Sequence, residues 1–172
     1  MKIFYLCLGL SFVFPFIGDS SDPIRTAGDI GQITSPLYGL YLTYQNSDID
    51  GRNQFYKSSL ATILTTHFLK QTIDKKRPDG TNNNSFPSGH TSSAFSGATF
   101  IHQRYGFNKA WPVYMVASFV GYSRIYAKKH YWEDVFAGAI FAGINSWIFT
   151  SPLLENTDAS IQGNQINLQF KF

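Results

Sequence analysis

Apolar positions recur at helical spacing along most of the chain, and turn-forming stretches divide the pattern into segments. The opening "MKIFYLCLGLSFVFPFIG" carries an uncharged apolar run from Ile3 to Ile17. That is short of the roughly 20 residues a spanning helix needs, and of the length of an export signal's apolar region. Residues 1–20 therefore read as a signal peptide, or as an uncleaved N-terminal anchor. Next, "DPIRTAGDIGQITSPLYGLYLTYQ" has a helical pattern interrupted at Pro36 and closed by the polar turn "NSDIDG". Residues 53 to about 74 repeat Phe55, Leu60, Ile63, Leu64, Phe68 and Leu69 near a 3.6-residue period and predict an amphipathic helix. "DKKRPDGTNNNSFPSG" is dense in turn formers and predicts a loop. Helices are expected from Ser88 to Tyr105, Trp111 to Ala127 and Tyr131 to Thr150. The fold class is thus all-α, a bundle of about five or six helices over residues 21–151. The tail, 152–172, ends in "QINLQFKF", whose two-residue alternation suits a strand that packs on the bundle or adds to a partner's edge.

Several helices are apolar on most sides, notably "WPVYMVASFVGY" and "DVFAGAIFAGINSWIF". Such a helix belongs at a bundle's centre or in lipid, and the polar interruptions favour burial in protein or a shallow membrane contact. Small residues at Ser92, Ser93, Ser96, Gly97, Ala98, Ala137, Gly138, Ala139, Ala142 and Gly143 would let backbones approach closely around a narrow site. Composition agrees with a globular domain: 44% of the 172 residues are hydrophobic and 15% charged. The net charge of +3 is spread thinly and no basic run marks a nucleic-acid surface, so no nucleic-acid partner is expected. The single cysteine, Cys7, lies inside the leading apolar segment, so the mature chain would suit an oxidising compartment but gain no disulfide there.

Three stretches concentrate the chemistry: "KQTIDKKRP", "PSGH" and "SRIYAKKHYWED". Lys70 and Arg77 are seven residues apart, two helical turns, so on a helix running to Pro78 both would sit near one face and could hold one anion. Ser88 is a natural N-cap, Gly89 permits close backbone approach, and the free N–H groups of the first turn suit a phosphate. His90 beside that anion would keep its proton and serve as a general acid. His130 and Asp134 are four apart at a helix start. The carboxylate could accept one ring N–H and leave the other nitrogen free as a nucleophile. Arg124 could fork onto phosphate oxygens, giving three cations to match the charge of a phosphoryl transition state.

Taken in order, K-x6-R-P, P-S-G-H and S-R-x5-H-x3-D resemble the complete three-part signature of the type 2 phosphatidic acid phosphatase superfamily, which includes bacterial acid phosphatases, lipid phosphatases and vanadium haloperoxidases. The resemblance covers residues 70 to 134, and more loosely "GDIGQITSP" and "DIDGRNQF" before them. It implies that His130 forms a phosphohistidine, His90 protonates the leaving group and Asp134 orients His130. It further implies that Lys70, Arg77, Ser88, Gly89 and Arg124 hold the phosphate, with no metal and no cofactor.

The function expected from this is metal-independent hydrolysis of a phosphate monoester or diphosphate. The aromatic-rich, exported chain points to a lipid-borne substrate such as phosphatidic acid, phosphatidylglycerol phosphate, lipid A or a prenyl diphosphate, met at a membrane surface. A periplasmic location or either membrane facing that space is implied. A soluble periplasmic acid phosphatase is the alternative. A haloperoxidase and a non-catalytic membrane-associated protein rank lower, the first because this chain is short and the second because His90, His130 and Asp134 are all intact. Elsewhere, "NSDIDG" echoes the start of a calcium loop but has Lys57 where a bidentate acid belongs. His67 and His102 lack partners at ligand spacing, and Asn83-Asn84-Ser85 reads as turn chemistry.

Overall fold

The structure, a computed structural model, describes residues 22–153 and the strands at 158–162 and 165–169. The predicted export segment and Cys7 lie outside the described residues. Five helices follow one another: α1 (Pro23–Gln45), α2 (Ile49–Thr72), α3 (Gly89–Tyr105), α4 (Phe107–Tyr126) and α5 (Trp132–Phe149). This is the expected all-α bundle, with α3 in the middle and packed against each of the other four. β1 (Asp158–Gln162) and β2 (Gln165–Gln169) form an antiparallel hairpin, with Asp158 opposite Gln169 and Gln162 opposite Gln165. The alternating tail therefore does form a strand, and its partner is the preceding segment "DASIQ", where the same two-residue alternation is present with Ala159 and Ile161 as the apolar positions.

α2 and α4 begin four residues earlier than expected, at Ile49 and Phe107, and two further departures have clear reasons. Pro36 does not interrupt α1. A proline inside a helix deprives the carbonyl four residues earlier of its N–H. Here that carbonyl belongs to Gln32, and the Ser93 hydroxyl on α3 donates to it at 2.8 Å. At the same crossing α1 presses so closely on α3 that a Cβ on Gly97 would collide with the backbone of Ser35 and Pro36. The neighbouring helix thus supplies what the proline removes. α2, conversely, ends at Thr72, with Ile73 in extended conformation as its cap. Arg77 is off the helix, and the two-turn argument that placed it with Lys70 does not apply.

The distribution of side chains runs against that of an ordinary water-exposed bundle. The buried apolar cluster is made largely of small residues, with Ala94, Ala98, Ala110, Ala117 and Val120 around Phe55, Phe100 and Ile101. Buried hydroxyls return their hydrogen bonds to their own helices: Ser35 to Gly31, Ser92 to Ser88 and Thr99 to Phe95. Large apolar side chains lie outside instead, with Trp147 72%, Met115 66%, Phe68 65% and Leu64 60% exposed.

The polar turn before α2 has a structural role. Asp48 caps α2 through the Gly51 N–H at 2.8 Å. Its carboxylate also takes a two-pronged bond from Arg104 on α3, at 2.6 and 2.7 Å, and the Tyr105 hydroxyl at 2.9 Å. Arg104 in turn donates to the Ser151 carbonyl at 3.0 Å, so one buried ion pair joins the α1–α2 turn, the end of α3 and the segment after α5.

Candidate active site

The three motif stretches meet where the loop 73–88 folds back between the end of α2 and the starts of α3 and α5. The loop is held by its own ladder: Lys75 N–H to the Asn83 carbonyl, Arg77 N–H to Asn82, and Ser85 N–H to Lys75, at 2.9, 2.9 and 3.0 Å. That ladder, rather than helical spacing, carries Arg77 to Lys70. The like charge of Arg77 adds to burial in lowering the Lys70 ammonium to about 8. Burial likewise lowers Arg77, whose Nε is buried without an acceptor among the described residues. Two desolvated cations side by side, one with an unmet donor, form a place for an anion.

Ser88 caps α3 as expected, accepting from Thr91 N–H at 3.4 Å, while its own N–H donates to the Asp134 carbonyl at 2.9 Å. The N–H groups of Gly89 and His90 fall in the first turn, where a helix offers them no acceptor. α5 lies close against this cap: a Cβ on Gly138 would press on the Ser88 carbonyl at 2.7 Å. Lys70 sits beside Gly89, where an added Cβ would stand 3.6 Å from its Cε.

His130 is buried, and its Nδ1 lies 2.7 Å from the Ser85 carbonyl oxygen. A carbonyl only accepts, so Nδ1 must carry the proton and the lone pair is on Nε2. The expected orienting partner, Asp134, stands 3.7 Å from Nδ1, within ion-pair range but beyond a good hydrogen bond. Its oxygens are engaged elsewhere, by the Tyr131 N–H at 2.9 Å, by Lys75 Nζ at 2.6 Å and by the Ser85 hydroxyl. Asp134 thus acts on the ring by charge and by fixing Ser85, whose carbonyl makes the direct contact. Burial is the main cause that lowers the His130 imidazole to about 4; Lys70 and Arg77 add to it and Asp134 opposes it. Burial would raise Asp134, but its contacts with His130, Lys75, Ser85 and the Tyr131 N–H outweigh this and hold it well below the usual carboxylate range.

Arg124 and His90 share a residue outside the three-part signature, in the loosely resembling stretch "GDIGQITSP". Asp29, buried on α1, receives Arg124 Nη1 at 2.6 Å and lies 3.0 Å from His90 Nε2 through the same oxygen. Arg124 also donates to the Arg25 carbonyl at 2.8 Å and to Ser123 Oγ at 3.0 Å, leaving one N–H on each terminal nitrogen. His90 is subject to opposing influences. Burial, with the charges of Arg124 and Arg77, lowers it, while Asp29 pulls the other way. Lys75 and Ser85 were likewise unsuspected, because both fall in a stretch that reads as turn chemistry. Lys129, flanking His130, pairs with Asp79 and braces the loop.

All eight expected site residues therefore converge, around one neutral imidazole with an available lone pair and one imidazole positioned to exchange a proton. Such a set of groups can bind an anion and offer it a nitrogen lone pair. Residues 55–157 match the PAP2 superfamily, more than half of the chain, and the chain belongs to that family. A lipid A 1-phosphatase of Porphyromonas gingivalis is 48% identical over 73 residues, covering 41% of this chain and 16% of that protein. A lipid A 4'-phosphatase of Helicobacter pylori is 38% identical over 76 residues, 44% of this chain and 38% of the relative. The chain thus spans well under half the length of these two curated relatives. The crystal structure of Aquifex aeolicus LpxE superposes with a TM-score of 0.61 at 22% identity, over 82% of this chain and 92% of that one, and shares the fold.

Proposed function

We propose that this protein is a metal-independent phosphatase that removes phosphate from a lipid-borne ester or diphosphate at a membrane, through a phosphohistidine on His130. One observation carries the reading. The Nδ1–H of His130 is committed to the Ser85 carbonyl, which leaves the Nε2 lone pair beside Lys70 and Arg77.

Lys70, Arg77, Arg124 and the first-turn N–H groups of Gly89 and His90, with Ser88 fixing that turn, hold the phosphoryl oxygens. Nε2 of His130 attacks phosphorus, the bond from phosphorus to the leaving oxygen breaks, and that oxygen takes the proton of His90. Water then attacks the phosphohistidine and gives its proton back to His90. The phosphorus–nitrogen bond breaks, and phosphate and the resting imidazoles are regenerated.

Because the nucleophile must be unprotonated, activity should fall as pH drops through the His130 value of about 4 and be unaffected by His130 above it. A kcat/KM profile measured from pH 3 to 10 checks this; an acid limb near pH 6.5, that of an ordinary histidine, would contradict a buried nucleophile.

The lipid substrate is supported by the apolar exterior and by the names of the relatives, which favour a phosphorylated glycolipid. No helix among the described residues is long and apolar enough to cross a membrane. Exposed Leu64, Phe68, Met115 and Trp147 would nevertheless rest far better in acyl chains than in water. In mixed micelles, kcat/KM for a phosphorylated glycolipid should exceed that for glycerol phosphate by well over tenfold, since chain contacts add binding energy at the transition state. Equal efficiency on both, with release of the protein by osmotic shock, would instead identify a soluble acid phosphatase. Vanadate should inhibit, and EDTA should not.

A further inference from the structure

We infer that Asp29 is the positioning residue for the general acid: it fixes which nitrogen of His90 faces the substrate and keeps that nitrogen charged with a proton. The inference rests on the phosphohistidine reading above. It concerns a residue on α1, ahead of the matched segment 55–157.

Asp29 is 6% exposed and its Oδ1 meets both His90 Nε2, at 3.0 Å, and Arg124 Nη1, at 2.6 Å. A carboxylate accepts, so Nε2 of His90 carries a hydrogen bound to Asp29, and Nδ1 is the nitrogen left to exchange a proton. Nδ1 makes no hydrogen bond among the described residues. Asp29 itself is held below its ordinary range: burial opposes this, but His90 and Arg124 outweigh it. It therefore stays anionic while His90 gains and loses its proton at Nδ1.

The charges around His90 make such a partner necessary. Arg124 on α4 and Arg77 in the loop bring positive charge to bear on the ring; Arg25 on α1 acts on Arg124, Lys70 on α2 acts on His130, and neutral His130 and Asp134 lie at the start of α5. Asp134 is committed to Lys75 and Ser85. Asp29 is the carboxylate in contact with His90, and without it the imidazolium would be disfavoured by burial and by the like charges of Arg124 and Arg77.

The placement is built into the packing. Gly28, the residue before Asp29, lies against Ser123 and Arg124 so closely that a Cβ there would collide with both side chains. That contact sets the distance at which α1 delivers Asp29 to the two motif residues.

Asp29→Asn keeps the shape and removes the charge. A general acid works protonated, so its loss of activity comes as pH rises through the His90 value. In D29N this basic limb should move down by about one pH unit or more. Turnover of a lipid phosphate, whose alkoxide leaving group needs a proton, should fall about 100-fold, with a much smaller loss for p-nitrophenyl phosphate, whose phenolate needs little help. Asp29→Glu should restore part of the limb. An unmoved basic limb, or equal losses on both substrates, would overturn the assignment.

Histidine-selective 15N NMR of the wild-type protein in detergent, with the His90 signal assigned from His90→Asn, tests the same point without relying on the folding of D29N. Nε2 should stay protonated across the basic limb while Nδ1 titrates; the opposite tautomer would overturn the role. Failure of the phosphohistidine reading would show separately, as wild-type enzyme that turns over without a labelled His130.

Discussion

His130→Ala should lower kcat by on the order of 10⁴ to 10⁶, while vanadate and phosphate still bind. The size follows from the division of labour in the site. In the mechanism we propose, Lys70, Arg77 and the turn before α3 would hold the anion independently of the imidazole, so removing the ring would abolish the attacking lone pair and spare most of the binding. The cavity left next to Ser85 would also free a carbonyl that now has a donor at 2.7 Å. Circular dichroism should therefore accompany the kinetics, to keep a folding loss apart from a chemical one. Rapid-quench labelling with a 32P substrate should give an acid-labile phosphoryl adduct in wild type and none in H130A. Label on any other residue would reassign the nucleophile.

Asp48→Ala should cost about 3–5 kcal/mol of stability, because it leaves the Arg104 guanidinium buried without its carboxylate. Both side chains are nearly inaccessible, at 7% and 4%, so water cannot take over the contact. The same change removes the cap of α2 and the acceptor of the Tyr105 hydroxyl. The bonds from Arg104, against an opposing effect of burial, hold the Asp48 carboxyl below its usual value. A carboxylate with a depressed folded-state pKa stabilises the protein above its unfolded value, and that contribution is lost as pH falls through the folded one. Wild type should thus lose stability on acidification partly through Asp48, and D48A should lose less over the same range. Denaturant titrations in detergent at pH 7 and pH 3 measure both effects; a change below about 1 kcal/mol at pH 7 would show that the ion pair contributes little net stability. The pH profile of the remaining activity should keep its shape, since Asp48 makes no contact with the motif residues.

Much of this site was legible because its residues obey local rules. Ser88 announced a helix start, and Asp134 does stand in the first turn of α5, where it caps the helix through the Tyr131 N–H. What could not be read were contacts whose two halves are far apart in sequence. Asp29 is 61 residues from His90 and 95 from Arg124, and alone it is one acid on a helix. Its surroundings did hold a hint: an acid between Gly28 and Ile30 in a largely uncharged segment asks for a buried partner. Ser85 acts on His130 through its backbone carbonyl, and a backbone contact leaves no trace in residue type. Arg77 was placed on the right neighbour by the wrong route, since a loop ladder did what helical spacing was expected to do. Pro36 reads as a break in sequence because its compensating hydroxyl, on Ser93, belongs to another helix.

The seam where Gly97 meets Ser35 and Pro36 has a consequence for how this chain can vary. In a water-soluble bundle the interior tolerates exchange among large aliphatic residues and the exterior tolerates almost any polar one. Here the tolerance map should be turned inside out. Outward positions such as Leu64, Met115 and Trp147 can trade freely among bulky apolar types, whereas inward positions such as Gly28, Gly97 and Gly138 have room for hydrogen alone. Saturation mutagenesis scored by folding should therefore find its strictest constraint on the smallest side chains.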